Sequence, residues 1–155
     1  INRLKDLKRI EVLQADLFSY KTFENSSFLY LNVNQFIVIE TGQAIYGLDL
    51  SKDFKVIKSG KNIEIMLPNI ELLNLSVNPD SIDFIGLKKG MFTSQDHFEA
   101  LKKEVSVELY SQLKIKARNK QLLDQAEKNA RQIIYSMFKS LGYENININF
   151  RKHSH

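Results

Sequence analysis

The chain has 155 residues and a mass of 18.0 kDa, with 43% apolar and 26% charged residues, the balance of an ordinary globular protein. It has no cysteine, which excludes disulfides, thiolate nucleophiles, zinc–thiolate sites and iron–sulfur clusters together. The net charge of +4 is uneven: residues 1–87 carry nine Lys/Arg against eleven Asp/Glu, and residues 88–155 carry thirteen against seven. Acidic residues are interleaved throughout the basic half, so a solvated helical surface accounts for it better than a nucleic-acid footprint. No apolar run reaches the roughly 20 residues that a membrane-spanning helix needs. The chain begins at Ile1 and not Met, so it reads as a trimmed or processed chain, and any anchor or export signal would lie upstream of it.

In chain order, Leu4, Leu7 and Ile10 have the spacing of a short helix, expected as the end of an upstream connector. Glu11–Tyr20 reads as a strand, Asn25-Ser26-Ser27 as a turn, and Phe28–Val33 as apolar sequence following it. In Gln35–Leu50 the sets Phe36, Val38, Glu40 and Ile37, Ile39, Thr41 alternate with period two; Gly42 and Gly47 are expected to mark bulges or bends. Phe54–Lys58 and Ile63–Leu67 form a hairpin about Ser59-Gly60-Lys61-Asn62, and Pro68 ends its second strand. Ile70–Val77 and Ile82–Leu87 are further strands, separated by a turn at Asn78-Pro79-Asp80-Ser81 and closed by Lys88-Lys89-Gly90.

The period then changes. Phe98, Leu101, Val105, Leu109 and Leu113 form one helical stripe, capped by Thr93 or Ser94. Leu122, Ala126, Ala130, Ile133/Ile134, Met137 and Leu141 form a second, stopped by Gly142 as a left-handed cap. The thin apolar face over Lys114–Gln121 places a break near Asn119. Ile146, Ile148 and Phe150 then alternate with Asn145, Asn147 and Asn149, a half-buried strand that has to pair with earlier ones.

These elements predict an α+β fold: a bent antiparallel sheet covered by C-terminal helices, with a final strand returning to the sheet. We expect a single domain over residues 1–155, with 1–10 as the tail of a linker, 11–90 mainly strands, 94–141 helical and 144–151 the last strand. Ile63, Ile65, Leu67, Leu101, Leu109, Ile133 and Ile148 are the expected core.

The densest polar cluster in the strand region is Tyr46, Asp49 and Ser51, a candidate ligand-binding site in which Asp49 would serve as base or anchor. The alternative is a strand-end Asp that caps a turn, and the sequence ties no His or second carboxylate to it. Lys114, Lys116, Arg118 and Lys120 form the sharpest basic cluster, a candidate anion-binding site if the break gathers them on a loop. On a straight helix their spacing of two scatters them. The three histidines, His97, His153 and His155, do not make a metal-ligand pattern, and no metal or cofactor is expected. The chain contains no nucleophile-elbow Gly-x-Ser-x-Gly, dinucleotide Gly-x-Gly-x-x-Gly or phosphate-loop motif, which disfavours those chemistries.

Several phrases in fixed order carry a family resemblance: Ile45-Tyr46-Gly47-Leu48-Asp49-Leu50-Ser51, Ile63–Pro68, Asn78-Pro79-Asp80, Leu122–Ala130 and Leu141-Gly142-Tyr143. The chain resembles the bacterial domain-of-unknown-function family 4230 over roughly residues 10–150. Where that family tends to have a glycine before the alanine-rich helix, this chain has Asn119-Lys120; asparagine is the next most tolerant residue of a left-handed backbone, so a break is expected to survive there. The family has no established activity. The resemblance implies an N-terminal membrane anchor or export signal, hence an envelope location; a cytoplasmic location is the alternative. The leading expectation is a non-catalytic envelope domain that binds a protein partner or a small ligand. A hydrolase centred on Asp49 and a soluble anion- or nucleic-acid-binding protein are the competing readings. A homo-oligomer through the alanine seam is an alternative to core packing there.

Overall fold

The structure, a computed structural model, describes residues 7–24, 35–86 and 94–151. Its strands are β1 (Arg9–Glu24), β2 (Gln35–Asp49), β3 (Lys55–Ser59), β4 (Asn62–Leu67), β5 (Glu71–Val77), β6 (Asp83–Ile85) and β7 (Asn145–Phe150). Among the described residues the helices are α1 (Gln95–Ala117) and α2 (Lys120–Ser140), and a 3-10 turn spans Pro79–Ser81. The fold is α+β. One sheet has the order β1-β2-β5 with β6 also paired to β2, antiparallel through Ile37–Ile85, Val38–Phe84 and Ile39–Asp83. The other has the order β3-β4-β7. The predicted last strand forms as expected, but it joins this second sheet and runs parallel to β4. The turn at 25–27, the apolar run 28–33, Lys88-Lys89-Gly90, Thr93, Leu4 and the two tail histidines lie outside the described residues. Ile10, expected on a helix, lies in β1.

The chain forms two compact units. One comprises the described residues of 1–15, 44–74 and 118–155, and the other those of 16–43 and 75–117. In the first, the inward set Ile63, Ile65, Leu67 and Ile148 is buried together with Ala126, Ala130, Ile134 and Phe138 of α2. The four α2 residues are each four apart, and this phase selects Ile134, leaving Ile133 39% exposed rather than in the core. In the second, Phe23, Phe36, Val38, Leu101, Val105 and Leu109 form a core cluster in which the rings of Phe23 and Phe36 stack at 4.8 Å. Of the expected core residues, Leu101 and Leu109 fall in the second unit and Ile63, Ile65, Leu67 and Ile148 in the first. Burying each such aliphatic side chain contributes roughly 1.5–3 kcal/mol.

Helix ends follow local chemistry. The Ser94 hydroxyl accepts from His97 N–H at 3.3 Å, and Asn119 Oδ1 accepts from Gln121 N–H at 2.7 Å. The expected break falls at Asn119, whose backbone is extended (φ −61°, ψ 132°) because it acts as the N-cap of α2 and needs β-region backbone to do so. At the other end, Gly142 (φ 97°) donates to Lys139 O and Tyr143 N–H donates back to Phe138 O. The edge contact between the Phe138 and Tyr143 rings, 6.0 Å apart, completes a Schellman cap and directs the chain into β7.

Gly42 and Gly47 do not end or divide β2, which runs unbroken from Gln35 to Asp49. Gly47 is needed for close approach: a Cβ there would lie 2.0 Å from Ile10 O and 2.6 Å from Leu73 Cδ1. Gly47→Ala should therefore cost about 3 kcal/mol in urea denaturation, because backbone has to move. Gly60→Ala, where φ is 61° but no atom lies within 4 Å, should cost about 1 kcal/mol. Equal midpoints for Gly47→Ala and the parent chain would contradict the close approach.

Candidate functional site

The second sheet keeps one face for the core and offers the other to solvent. Along β4, Ile63, Ile65 and Leu67 are buried while Asn62, Glu64 and Met66 are exposed; in β7, Asn145, Asn147 and Asn149 are exposed. Register then places outward residues in transverse rows. Ser59, Asn62 and Asn145 form one row, Ile57, Glu64 and Asn147 the next, and Lys55, Met66 and Asn149 the third. The first two rows line an open groove of about 510 Å³, to which Ile63, Ile146, Glu144 and Tyr135 of α2 also contribute. The Asn145 amide donates to Asn62 Oδ1 at 2.7 Å, and Lys61 Nζ donates to Glu144 Oε1 at 2.6 Å at the same end. Ile57 is 65% exposed and Tyr135 44% exposed, so an apolar side chain and a ring stand among the amides.

One carbonyl of the neighbouring β7 edge is engaged by α2. Arg131 of α2 donates from Nη1 to Ile148 O at 2.6 Å, and its guanidinium lies 5.1 Å from the centre of the Phe150 ring. A cation held on an edge strand in this way discourages a further strand from pairing there.

The Tyr46–Asp49–Ser51 cluster is placed differently. Tyr46 is fully buried in β2, and burial pushes its phenol up from the usual range. Asp49 accepts from the Ser51 hydroxyl at 2.5 Å and the Ser51 N–H at 3.1 Å, with Lys52 Nζ 3.8 Å away. Those Ser51 bonds, the hydroxyl first, hold its carboxyl below the usual range. Asp49 and Ser51 thus come together as a turn cap at the end of β2.

The basic cluster is not gathered on a loop. Lys114 and Lys116 remain helical on α1, and the break falls at Arg118 and Asn119. Lys114 lies over the Tyr110 ring at 4.8 Å; Lys116 donates to Phe18 O at 2.6 Å and lies 5.0 Å over its ring. Arg118 and Lys120 are exposed. Among the described residues no three His, Asp or Glu side chains are grouped to hold a metal ion.

Two features were missed in the sequence reading. The asparagines of β7 were read only as the polar half of an alternating strand; their alignment with Asn62 and Glu64 depends on a parallel register invisible in the sequence. The other is Glu40, which shares its face of β2 with Phe36 and Val38 and is fully buried. Ser106 of α1 donates to its Oε2 at 3.3 Å, while Oε1 has no hydrogen-bond partner. The signal was present in its phase, a carboxylate in register with core residues.

Desolvation raises the Glu40 carboxyl above its ordinary value of 4.5, and the Ser106 hydroxyl only partly opposes this. The folded state thus holds the proton more firmly than the unfolded chain, and stability is lost as pH rises from about that value through the raised one. Glu40→Gln, which keeps the shape without the ionisation, should melt increasingly above the parent chain as pH climbs toward neutrality, with the two converging in acid. Parallel melting curves from pH 4 to pH 8 would show that burial does not perturb this carboxyl.

Comparison with curated proteins finds no match, and comparison with solved structures finds none either. A family model does match, over residues 2–148, nearly the whole length and including every described strand and helix except the last two residues of β7. The chain therefore belongs to the family described as protein of unknown function (DUF4230).

Proposed function

We propose that the chain is a non-catalytic binding domain of a membrane-anchored bacterial envelope protein, with its ligand or partner segment lying in the groove across β3, β4 and β7. The observation that carries this reading is the lining of that groove. Asn62, Asn145, Asn147 and Ser59 offer hydrogen bonds, and Ile57 and Tyr135 offer apolar surface, on a face of about 510 Å³ supported by a packed sheet. Such a mixture of apolar contact with a few oriented polar groups is what ligand sites use.

The hydrolytic alternative asks Asp49 to act as a base, but its oxygens already serve the Ser51 turn and its pKa is held down, away from the range a general base needs. The anion-binding alternative asks Lys114, Lys116, Arg118 and Lys120 to gather on a ligand, but Lys114 and Lys116 stay on α1 and rest on aromatic rings of their own unit, leaving Arg118 and Lys120 as the exposed pair. The envelope location draws its support from family membership and from the anchor or export signal that the resemblance implies. No helix among the described residues is long and apolar enough to cross a membrane.

The test uses the full-length protein in its own cells: fractionation, followed by protease treatment with the inner membrane intact. Retention with the membrane and cleavage from outside are expected. A freely soluble cytoplasmic pool would sink the envelope reading. For the groove, Ile57→Asp should abolish retention of the native partner while leaving the melting temperature within about 2 °C, since Ile57 is largely exposed.

A further inference from the structure

The groove's chemistry, taken residue by residue, narrows its ligand. Its polar side chains are chiefly neutral amides and a hydroxyl. An asparagine amide presents two donors and a carbonyl acceptor together, and a serine hydroxyl both donates and accepts. The bond from Asn145 to Asn62 uses one donor of the first and one acceptor site of the second, so the pair still presents donors on Asn62 and a carbonyl on Asn145. One row along, Glu64 supplies acceptors beside Asn147, which supplies both kinds of group. The two rows stand roughly 7 Å apart along the strands, and neighbouring strands about 4.8 Å apart. The result is a lattice of paired donors and acceptors.

A ligand complementary to that lattice carries many groups that are donors and acceptors at once. Hydroxyl-rich rings have this property; an extended peptide, whose donors and acceptors alternate along an edge, pairs best with an open strand edge. On the β7 edge Arg131 already holds Ile148 O, while the groove's amides Asn62, Asn145 and Asn147 stand on the face. Tyr135 adds a partly exposed ring, and Ile57 a largely exposed aliphatic side chain, against which the C–H surface of a sugar ring can rest.

We infer that the outward face of β3, β4 and β7 binds an oligosaccharide, with Asn62, Asn145, Asn147 and Glu64 bonding its hydroxyls and Tyr135 stacking on one ring. The inference rests on the groove being the binding site. It assigns the site a neutral ligand, so affinity should change little between low and physiological salt.

The experiment is an amide-resolved NMR titration of the isotope-labelled chain. The probes are chitohexaose, cellohexaose, maltohexaose and mannohexaose, with a pool of random octapeptides as the comparison. At least one sugar should shift the signals of Asn62, Glu64, Asn145 and Asn147. Tyr135→Ala should weaken that sugar about tenfold, the stacking contribution of one ring. Asn147→Ala should weaken it too, while Asn149→Ala, on the same strand and face but outside the groove, should not. All three positions are exposed, and unchanged spectra elsewhere report that each variant is folded. If peptides shift these signals and no sugar does, the carbohydrate assignment fails while the binding groove stands. If neither shifts them, both fail.

Discussion

Parallel pairing between β4 and β7 is the constraint on which the candidate site depends. Two adjacent parallel strands cannot be joined by a tight turn and require a long crossover. Here the chain between Leu67 and Asn145 contains β5, β6 and both helices before β7 returns beside β4. The return is set by the end of α2: the Schellman cap at Gly142 turns the chain, and Glu144 and Asn145 N–H groups both donate to Lys61 O, fixing where the pairing starts. From that anchor six residue pairs follow in register. A slip of one residue would exchange Ile146 and Ile148 with the asparagines and place amides in the core. Burial of one face and composition of the other are therefore specified by the same six residues.

The interplay of α2 with this sheet follows from residue size as well as phase. Ala126 and Ala130 are small enough for close packing, while Ile134 and Phe138 fill the space further along, all four fully buried. The helix also supplies polar contacts to strand backbone: Asn129 donates to Val12 O at 3.0 Å and Arg131 to Ile148 O. Each gives a strand carbonyl a partner from α2. The alanine seam is thus occupied within its own unit, and core packing explains it.

What was legible in the sequence was whatever periodicity alone encodes. The alternation of Asn145–Phe150, the hairpin at Gly60 and the two helical stripes each carry their own signal, and the family phrases run through them. The apolar positions also predicted burial well, since Ile63, Ile65 and Leu67 fall on one face. Partnership was not legible. Nothing in Asn62 or Asn147 alone says that they share a face two strands wide, because register is a property of pairs. Tyr46 illustrates a related limit: it stood in a polar phrase, yet its place in β2 put it wholly inside. Gly47 was read as a bend because glycine permits one, whereas the structure uses its missing Cβ to bring Ile10 O close.

Glu40 shows how a local violation can be read once the fold is known. A carboxylate in phase with Phe36 and Val38 contradicts the binary pattern, and burying it with one oxygen unpartnered is costly in its ionised form. The nearest relief is the Ser106 hydroxyl, presented by α1 one residue beyond the buried Val105. A hydroxyl can accept a proton bond as readily as donate one, so the same pair remains bonded when Glu40 is protonated. Burial shifts the balance toward the neutral acid, and the bond reports the placement of the α1 face. A hydrophobic residue at position 40 would fill the space without fixing such a partner; a carboxyl specifies which serine, and hence which helical turn, lies over it.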